Sequence, residues 1–378
     1  MGPQDTDLSR VRDSLGIDLS ARSADDSAAT TSAHDPAEPM PPTRDRILEL
    51  LEAAKSRRVV VVGDVMLDRY LIGDTERLSP EAPVPVVAVR ENRSALGGAA
   101  NVAANVRAIG AECTLIGVVG DDANGGAVRT ELASHGIADD GLITLAGRPT
   151  TAKTRVMARG QQIVRIDQEV DALLTGADLD RLGTAARGAL PGADALVLED
   201  YNKGALPPVL IHDLIAAARR GGVPVIADPK FRQFFDYAGA TVFKPNRREL
   251  EAALGAAVDL AHRDAMPAAL GQLKVDNLLV TLGAEGMLLV TRDGAVSHIP
   301  SLAREVSDVS GAGDTVTAWI GTILAAGGTM REAAELANYA AGIEVSKSGV
   351  ATVGPDEVLG VHEDRFDQIG RWRRGGVI

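Results

Sequence analysis

Asp308-Val309-Ser310-Gly311-Ala312-Gly313-Asp314 runs directly into Thr315 and the apolar segment Val316–Leu324. An acid, a turn of small residues, a second acid and a helix-forming run make a particular kind of site. Gly311, Ala312 and Gly313 carry almost no side chain, so their backbone N–H groups can stand bare at a helix N-terminus. Unpaired donors and the helix dipole attract an anion there. Asp314 would repel that anion if it were only a cap, whereas a general base taking a proton from an attacking hydroxyl belongs in this position. An ordinary Gly-rich loop with Asp as the helix cap has the same local pattern, so the surrounding chain has to decide.

Upstream of this loop, from about residue 178, helical and strand patterns alternate as in βαβ units, which predicts a doubly wound, mostly parallel sheet. Strands are predicted at Ala195–Leu198, Val223–Ala227, Thr241–Phe243 and Leu278–Thr281, with a further one at Met287–Val290. Polar groups follow the first four: Glu199-Asp200-Tyr201-Asn202-Lys203-Gly204, then Asp228-Pro229-Lys230, then Lys244-Pro245-Asn246-Arg247-Arg248-Glu249, then Leu282-Gly283-Ala284-Glu285-Gly286. Any one of these is readable as a helix cap. Their succession at strand carboxyl ends is where an open α/β sheet builds its site.

The N-terminal half carries the same signature once and then breaks it. A helix with Ile47, Leu48, Leu50 and Leu51 on one side and Thr43 as its cap precedes the buried strand Val59–Val62, which ends in Gly63-Asp64. Asp68 follows, placed either to hold a polyol hydroxyl or to cap a turn. Residues 71–92 alternate like strands but include Pro80, Pro83 and Pro85, which excludes a central strand. Residues 150–168 read as two short strands around Arg159-Gly160-Gln161. Together these two segments predict a small sheet acting as a lid; a pair of surface hairpins fits the same pattern. Between them, Gly97-Gly98 opens a small-residue helix that brings Asn101 and Asn105 onto one face, followed by a strand at Cys113–Val119.

Composition narrows the partners. The 378 residues are 45% hydrophobic and 24% charged, enough for a large core. A formal charge of −13 argues against a nucleic-acid or anionic-membrane surface, so an anionic substrate needs a local basic pocket. One cysteine, Cys113, excludes an internal disulfide and fits a buried hydrophobe in a reducing compartment. No apolar run has membrane-span length, and no secretory or transit segment is recognisable, which predicts a cytoplasmic protein. Residues 1–44, acidic and rich in Ser, Ala and Pro, read as a disordered tail in which Leu8–Leu19 forms at most a transient helix.

With these residues assembled, the chain resembles the ribokinase (PfkB-type) family of sugar kinases over roughly residues 55–360. Gly97-Gly98-Ala99-Ala100-Asn101-Val102-Ala103 is similar to the family's N-terminal signature, and Asp308–Asp314 to its C-terminal one. Within the family the resemblance is to D-glycero-β-D-manno-heptose 7-phosphate kinases of ADP-heptose synthesis. It is carried by Gly63–Tyr70, Arg77–Val86, Thr154–Asp167 with Gln161-Gln162 inside it, and Asp200–Gly204. The fold implied is a ribokinase-like α/β domain over 45–378 with the lid at about 71–92 and 150–168. Many such kinases are fused to a C-terminal nucleotidyltransferase. This chain stops at Ile378 with no paired-His nucleotidyl-transfer motif after Gly360, so the expectation is a stand-alone kinase with a separate nucleotidyltransferase acting downstream.

The resemblance also implies roles. Asp314 is the base, and Gly311, Ala312 and Gly313 hold the transferring phosphoryl group. Asn246 and Glu249 arrange Mg²⁺ through its waters. Lys244, Arg247, Arg248, Thr281, Gly283, Gly286 and Asn338 serve ATP. Asp308, with backbone near Gly349, matches where relatives bind a monovalent cation such as K⁺. Asp68, Gly97, Gly98 and Asn101 grip the sugar, and Lys153, Arg155, Arg165, Arg77 and Lys203 are the candidate cations for its phosphate. Glu199 stands where relatives often carry a small residue. A homodimer formed through the lid sheet is expected. The rivals are a kinase for fructose 6-phosphate, ribose or a nucleoside, and an inactive kinase fold serving as a sugar-sensing or scaffold protein.

Overall fold

A computed structural model describes residues 41–303 and 306–363; the N-terminal tail to residue 40, with its Leu8–Leu19 segment, lies outside them. The chain opens with helix α1 (Arg44–Ala54), capped by the Thr43 hydroxyl, which accepts from Arg46 N–H at 3.3 Å. Ile47, Leu50 and Leu51 are buried, but Leu48 points outward, off the apolar side expected of it. A 100° step per residue cannot hold two adjacent residues and both of their i+3 neighbours on one narrow stripe.

Strand β1 (Arg58–Gly63) leads into β2 (Val65–Leu78) and β3 (Pro85–Gly98), then α2 (Ala99–Ile109), β4 (Glu112–Gly120), α3 (Ala123–Ser134) and β5 (Leu142–Leu145). The hairpin β6 (Thr151–Ala158) and β7 (Gln161–Gln168) follows, then α4 (Gly176–Ala189), β8 (Ala195–Glu199), α5 (Pro208–Arg220) and β9 (Val225–Asp228). Next come β10 (Val242–Phe243), α6 (Arg247–Leu254), α7 (Met266–Leu273), β11 (Asn277–Thr281), β12 (Met287–Val290) and β13 (Val296–Ile299). Helices α8 (Ala312–Ala325) and α9 (Met330–Glu344) follow, and residues 355–363 are helical again. Among the described residues no helix is long and apolar enough to cross a membrane.

The main sheet runs β13-β12-β11-β10-β9-β8-β1-β4-β5, parallel from β11 to β5 and antiparallel at the β11–β12–β13 end. The four valines of β1 show why it sits centrally. Val59 and Val61 pack into the layer that contains α1, α2, α8 and α9, while Val60 and Val62 pack into the opposite layer with α4, α5 and α7. A strand buried on both faces needs such an uninterrupted apolar run, and each valine taken from water contributes about 1.5–3 kcal/mol. Trp319, fully buried on α8, anchors the helix behind the Gly-rich loop.

The second sheet has the order β3-β2-β6-β7. β6 and β7 fall within the expected 150–168, whereas the first pair outruns 71–92: β2 starts at Val65, straight after β1, and β3 continues to Gly98. Asp68 therefore lies inside a strand rather than in a turn. The proline-rich stretch falls where expected, at the start of the edge strand β3.

Candidate active site

Sheet register brings the charged groups together. Gly63 pairs with Glu199, Glu199 with Asp228, and Phe243 with Ala227, so the residues just past β1, β8, β9 and β10 share one rim. Helix α8 points its N-terminus at that rim. A cleft of about 430 Å³ lies between this rim and the second sheet, lined by Asp228, Lys230, Lys244 and Asp314 below and by Asp68, Lys153 and Arg155 above.

Gly311 caps α8 with φ +95°, a conformation that favours glycine. A Cβ on Gly313 would lie 3.6 Å from Lys244 Nζ and 3.9 Å from Asp228 Oδ2. The bare helix terminus and the Lys244 ammonium thus converge on one small space suited to an anion. Asp314 is buried beside it, and both of its oxygens are held. Tyr201 O–H donates to Oδ1 at 2.7 Å, and Asn101 Nδ2 donates to Oδ2 at 2.9 Å.

Each donor is itself fixed. Asn105 Nδ2 donates to Asn101 Oδ1 at 3.2 Å, which leaves the Asn101 amide nitrogen to face Asp314. Asn105 in turn accepts from Thr315 Oγ1 at 3.4 Å and Val353 N–H at 3.3 Å. Tyr201 is aimed by Asp64, whose carboxylate accepts from Tyr201 N–H and Lys203 N–H at 2.8 Å and from Ala205 N–H at 3.0 Å. Asp200 accepts from Asn202 N–H at 2.7 Å and Tyr237 O–H at 2.8 Å, locking the same loop. Burial pushes the Asp314 carboxyl up to about 6; the Tyr201 and Asn101 hydrogen bonds pull it back down, and Asp228 adds to the rise. A carboxylate so placed is ionised at neutral pH yet basic enough to take a proton.

One carboxyl oxygen each from Glu199, Asp228 and Asp314 lie within 4.8 Å of one another. Lysines offset the charge: Lys244 Nζ is 2.9 Å and Lys230 Nζ 3.4 Å from Asp228, and Lys230 is 3.3 Å from Glu249. Burial raises the Asp228 carboxyl, but the two lysines outweigh it and hold it low. Glu199, beneath them and fully buried, is held far above the carboxylate range by burial and by its neighbours Asp228 and Asp314. On the far side of Gly311, burial and nearby Asp314 and Asp308 push Glu344 up to about 8.

Asn246 and Glu249 form a capping box on α6. Glu249 N–H donates to Asn246 Oδ1 at 2.9 Å, and Asn246 N–H donates to Glu249 Oε2 at 2.8 Å. Both line the cleft with Thr281. Arg247 pairs with Glu285 at 2.6 Å on the outer side, and Arg248 is exposed. Gly283 and Gly286 take φ +62° and +91° in the turn after β11. Asn338 donates to Pro300 O at 2.9 Å and is buried. Asp308 accepts from Ser310 N–H at 2.9 Å within the Gly-rich loop.

On the second sheet, Asp68 and Arg155 form a close, largely buried ion pair. A Cβ on Gly97 would collide with the Asp68 carboxylate, and one on Gly98 (φ +55°) would meet Asp64 O at 2.5 Å. Lys153 sits two residues before Arg155 and on the same side of β6, facing the cleft. Arg77 and Arg165 are exposed, Arg165 paired with Asp167 at 2.9 Å, and Lys203 pairs with Glu169 at 2.9 Å. Of the five candidate phosphate cations the structure brings Lys153 and Arg155 into the cleft, Lys203 to its edge, and Arg77 and Arg165 to neither. Sequence reasoning gave no role to Tyr201, Asp64, Asp228 or Lys230. Their position at strand carboxyl ends was the available signal.

Comparison with known proteins agrees with this geometry. The model of the pfkB family carbohydrate kinases matches residues 56–357. The bifunctional protein HldE of Pelobacter propionicus is 46% identical over 335 residues, covering 86% of this chain and 68% of that protein. HldE of Paramagnetospirillum magneticum is 42% identical over 350 residues, covering 87% and 71%. Among solved structures, Arabidopsis thaliana ribokinase complexed with ribose and ATP superposes with a TM-score of 0.64 at 22% identity, covering 81% of this chain and 98% of that one. Escherichia coli phosphofructokinase-2 in complex with potassium gives 0.68 at 20% identity, covering 82% and 98%; at such identities the likeness is one of fold. By its sequence, its fold and the relatives it matches, the chain belongs to the pfkB family of carbohydrate kinases, phosphotransferases that act on sugars.

Proposed function

We propose that this kinase transfers the γ-phosphoryl group of ATP to the anomeric hydroxyl of D-glycero-D-manno-heptose 7-phosphate, forming the 1,7-bisphosphate for ADP-heptose synthesis. The observation that carries the reading is the pairing of two features across one cleft. Asp314 lies at an anion-attracting helix terminus, and Lys153 and Arg155 face it from the second sheet. The similarity to HldE proteins supports the sugar. In this mechanism Asp314 takes the proton of the anomeric hydroxyl as that oxygen forms its bond to the γ-phosphorus. The bond from phosphorus to the bridging oxygen breaks with its electron pair, and ADP leaves. The N–H groups of Gly311–Gly313 and the Lys244 ammonium stabilise charge on the transferring group. Closure of the second sheet as a lid keeps water from competing with the sugar.

Asn246 and Glu249 fit Mg²⁺ held through its waters. Each presents an oxygen that holds only one short hydrogen bond, and a hard cation that keeps its water shell needs little more. When bound, it neutralises phosphate charge. Asp308 is proposed for a monovalent cation, K⁺ among others. Two copies are proposed to pair through the second sheet, whose edge strands expose Val89 on β3 and Ile163, Val164 and Ile166 on β7.

The test is ³¹P NMR of the purified protein with Mg²⁺·ATP and heptose 7-phosphate, with fructose 6-phosphate and ribose in parallel. A new anomeric phosphate signal with the heptose alone is expected. A signal with another sugar instead removes the heptose assignment, and silence in all three with ATP binding intact points to a scaffold.

A further inference from the structure

Glu169 sits at the cleft edge, between Lys203 and the cleft-lining Lys153. It is the first residue after β7, at the passage from the second sheet to the main body. Lys203 Nζ lies 2.9 Å from its Oε1, and Lys153 Nζ 3.7 Å from its Oε2. A single carboxylate thus bridges two ammonium groups that otherwise repel each other. Burial pulls the Lys153 ammonium down, and among the groups opposing that fall Glu169 acts most strongly.

The bridge is built into the scaffold. Arg148 donates to Val170 O and Ala172 O at 3.0 Å each and also binds Lys203 O, so one guanidinium ties the backbone after Glu169 to the backbone of Lys203. Arg232 pairs with Asp171 on the same segment. Ordering costs that usually cancel a surface ion pair are therefore already met by the fold. Tyr201 connects this edge to the chemistry: its hydroxyl donates to Asp314, and Lys153 stands over its ring, 5.9 Å from the centroid.

We propose that Glu169 is an internal stand-in for the acceptor's phosphate, a carboxylate that holds Lys153 and Lys203 until a phosphate monoester dianion displaces it. The inference rests on the phosphosugar reading given above. A phosphate offers more acceptor oxygens and more charge than a carboxylate, so it outcompetes Glu169 for the two lysines. The released side chain, 31% exposed, turns to solvent at little cost. A sugar without the phosphate cannot break the bridge, which makes Glu169 a specificity-determining residue.

The experiment measures inorganic phosphate binding by calorimetry with the nucleotide site filled by a non-hydrolysable ATP analogue and Mg²⁺. In parallel, the KM for heptose 7-phosphate is determined. Glu169→Gln is expected to tighten phosphate and lower that KM by about fivefold at low ionic strength. Lys203→Met and Lys153→Met are expected to weaken both by about tenfold or more. Unchanged or weakened phosphate binding in Glu169→Gln, with the lysine variants folded by circular dichroism, overturns the proposal even if heptose 7-phosphate is turned over. Tightened phosphate binding without heptose turnover keeps the stand-in and removes the heptose.

Discussion

The floor and the wall of the cleft are built on opposite plans. On the floor, Asp228, Asp314, Lys244 and Glu249 are each no more than 3% exposed, and they are bonded to one another or to fixed donors. The wall is a four-stranded sheet whose last strand, β7, is exposed along its whole length. A floor of fixed charges needs no reorganisation at the moment of transfer, which is the arrangement that stabilises developing charge best. A thin wall with one open face can adapt, and its ion pairs Asp68–Arg155 and Glu169–Lys203 can be exchanged for substrate groups. On the proposed mechanism, chemistry and choice of sugar are thereby separated in space.

Removing the base tests the floor most severely. Asp314→Asn keeps the shape and an acceptor for Asn101 Nδ2, while its new amide N–H faces the Tyr201 oxygen, and it cannot take a proton. Its kcat is expected to fall by at least ~10²-fold, the lower range for loss of a general base, while ATP affinity, read by calorimetry, persists. Turnover at the unsubstituted rate would show that the floor is not where proton transfer happens.

The next effect is one of pH. As the proposed base Asp314 has to be ionised, and its folded value is raised to about 6, so kcat/KM is expected to fall as pH drops through that value. Tyr201→Phe deletes a hydrogen bond to the charged form, so the acid limb should move upward by about one pH unit. Activity then falls a few-fold at pH 7 and recovers at higher pH. A uniform loss at every pH would mean that Tyr201 only packs.

That pair of residues marks how far the sequence was legible. Asp314 stood out because everything needed to read it is local: two acids, a small-residue turn and an apolar helix within one short stretch. Strand ends were legible for the same reason, down to β10, where two residues suffice between flanking signals. Tyr201 was not legible, because its hydrogen bond to Asp314 spans 113 positions. The spans to Asn101 and from Asn105 to Thr315 are 213 and 210. Periodicity reports which face a residue is on, never which distant residue waits there. Asp68 was readable as a polyol ligand or as a turn cap, and its strand was missed, because a buried ion pair inside a strand leaves no mark on its neighbours; Arg155, 87 positions away, holds it there.

On the wall, Arg155→Met is expected to raise the KM for the phosphosugar by about tenfold through loss of a charge-assisted contact. Its kcat should change less than that of Tyr201→Phe. It also strands Asp68, which is 5% exposed, so part of the loss is the cost of an unpaired buried carboxylate. Asp68→Asn in the same chain should recover stability, read as melting temperature, without recovering KM. A kcat loss matching that of Asp314→Asn would erase the distinction between floor and wall.

The smallest effect on turnover should come from the wall's outer face. Val164 and Ile166, 47% and 55% exposed on the edge strand β7, pair with Val156 and Thr154 and so lie on the face away from Lys153 and Arg155. An exposed apolar edge is a site for pairing with another chain. Ile166→Asp places a charge there while touching nothing on the floor, so the folded core and ATP binding should persist. Analytical ultracentrifugation should then show a dimer converted to monomer, with kcat reduced less than by any change above and the KM for the sugar raised by no more than a few-fold. A monomeric parent protein would remove the outer face from the argument. A monomeric variant that has lost kcat to the extent of Asp314→Asn would show that pairing of the wall is needed to assemble the floor, and the two regions would then act as one.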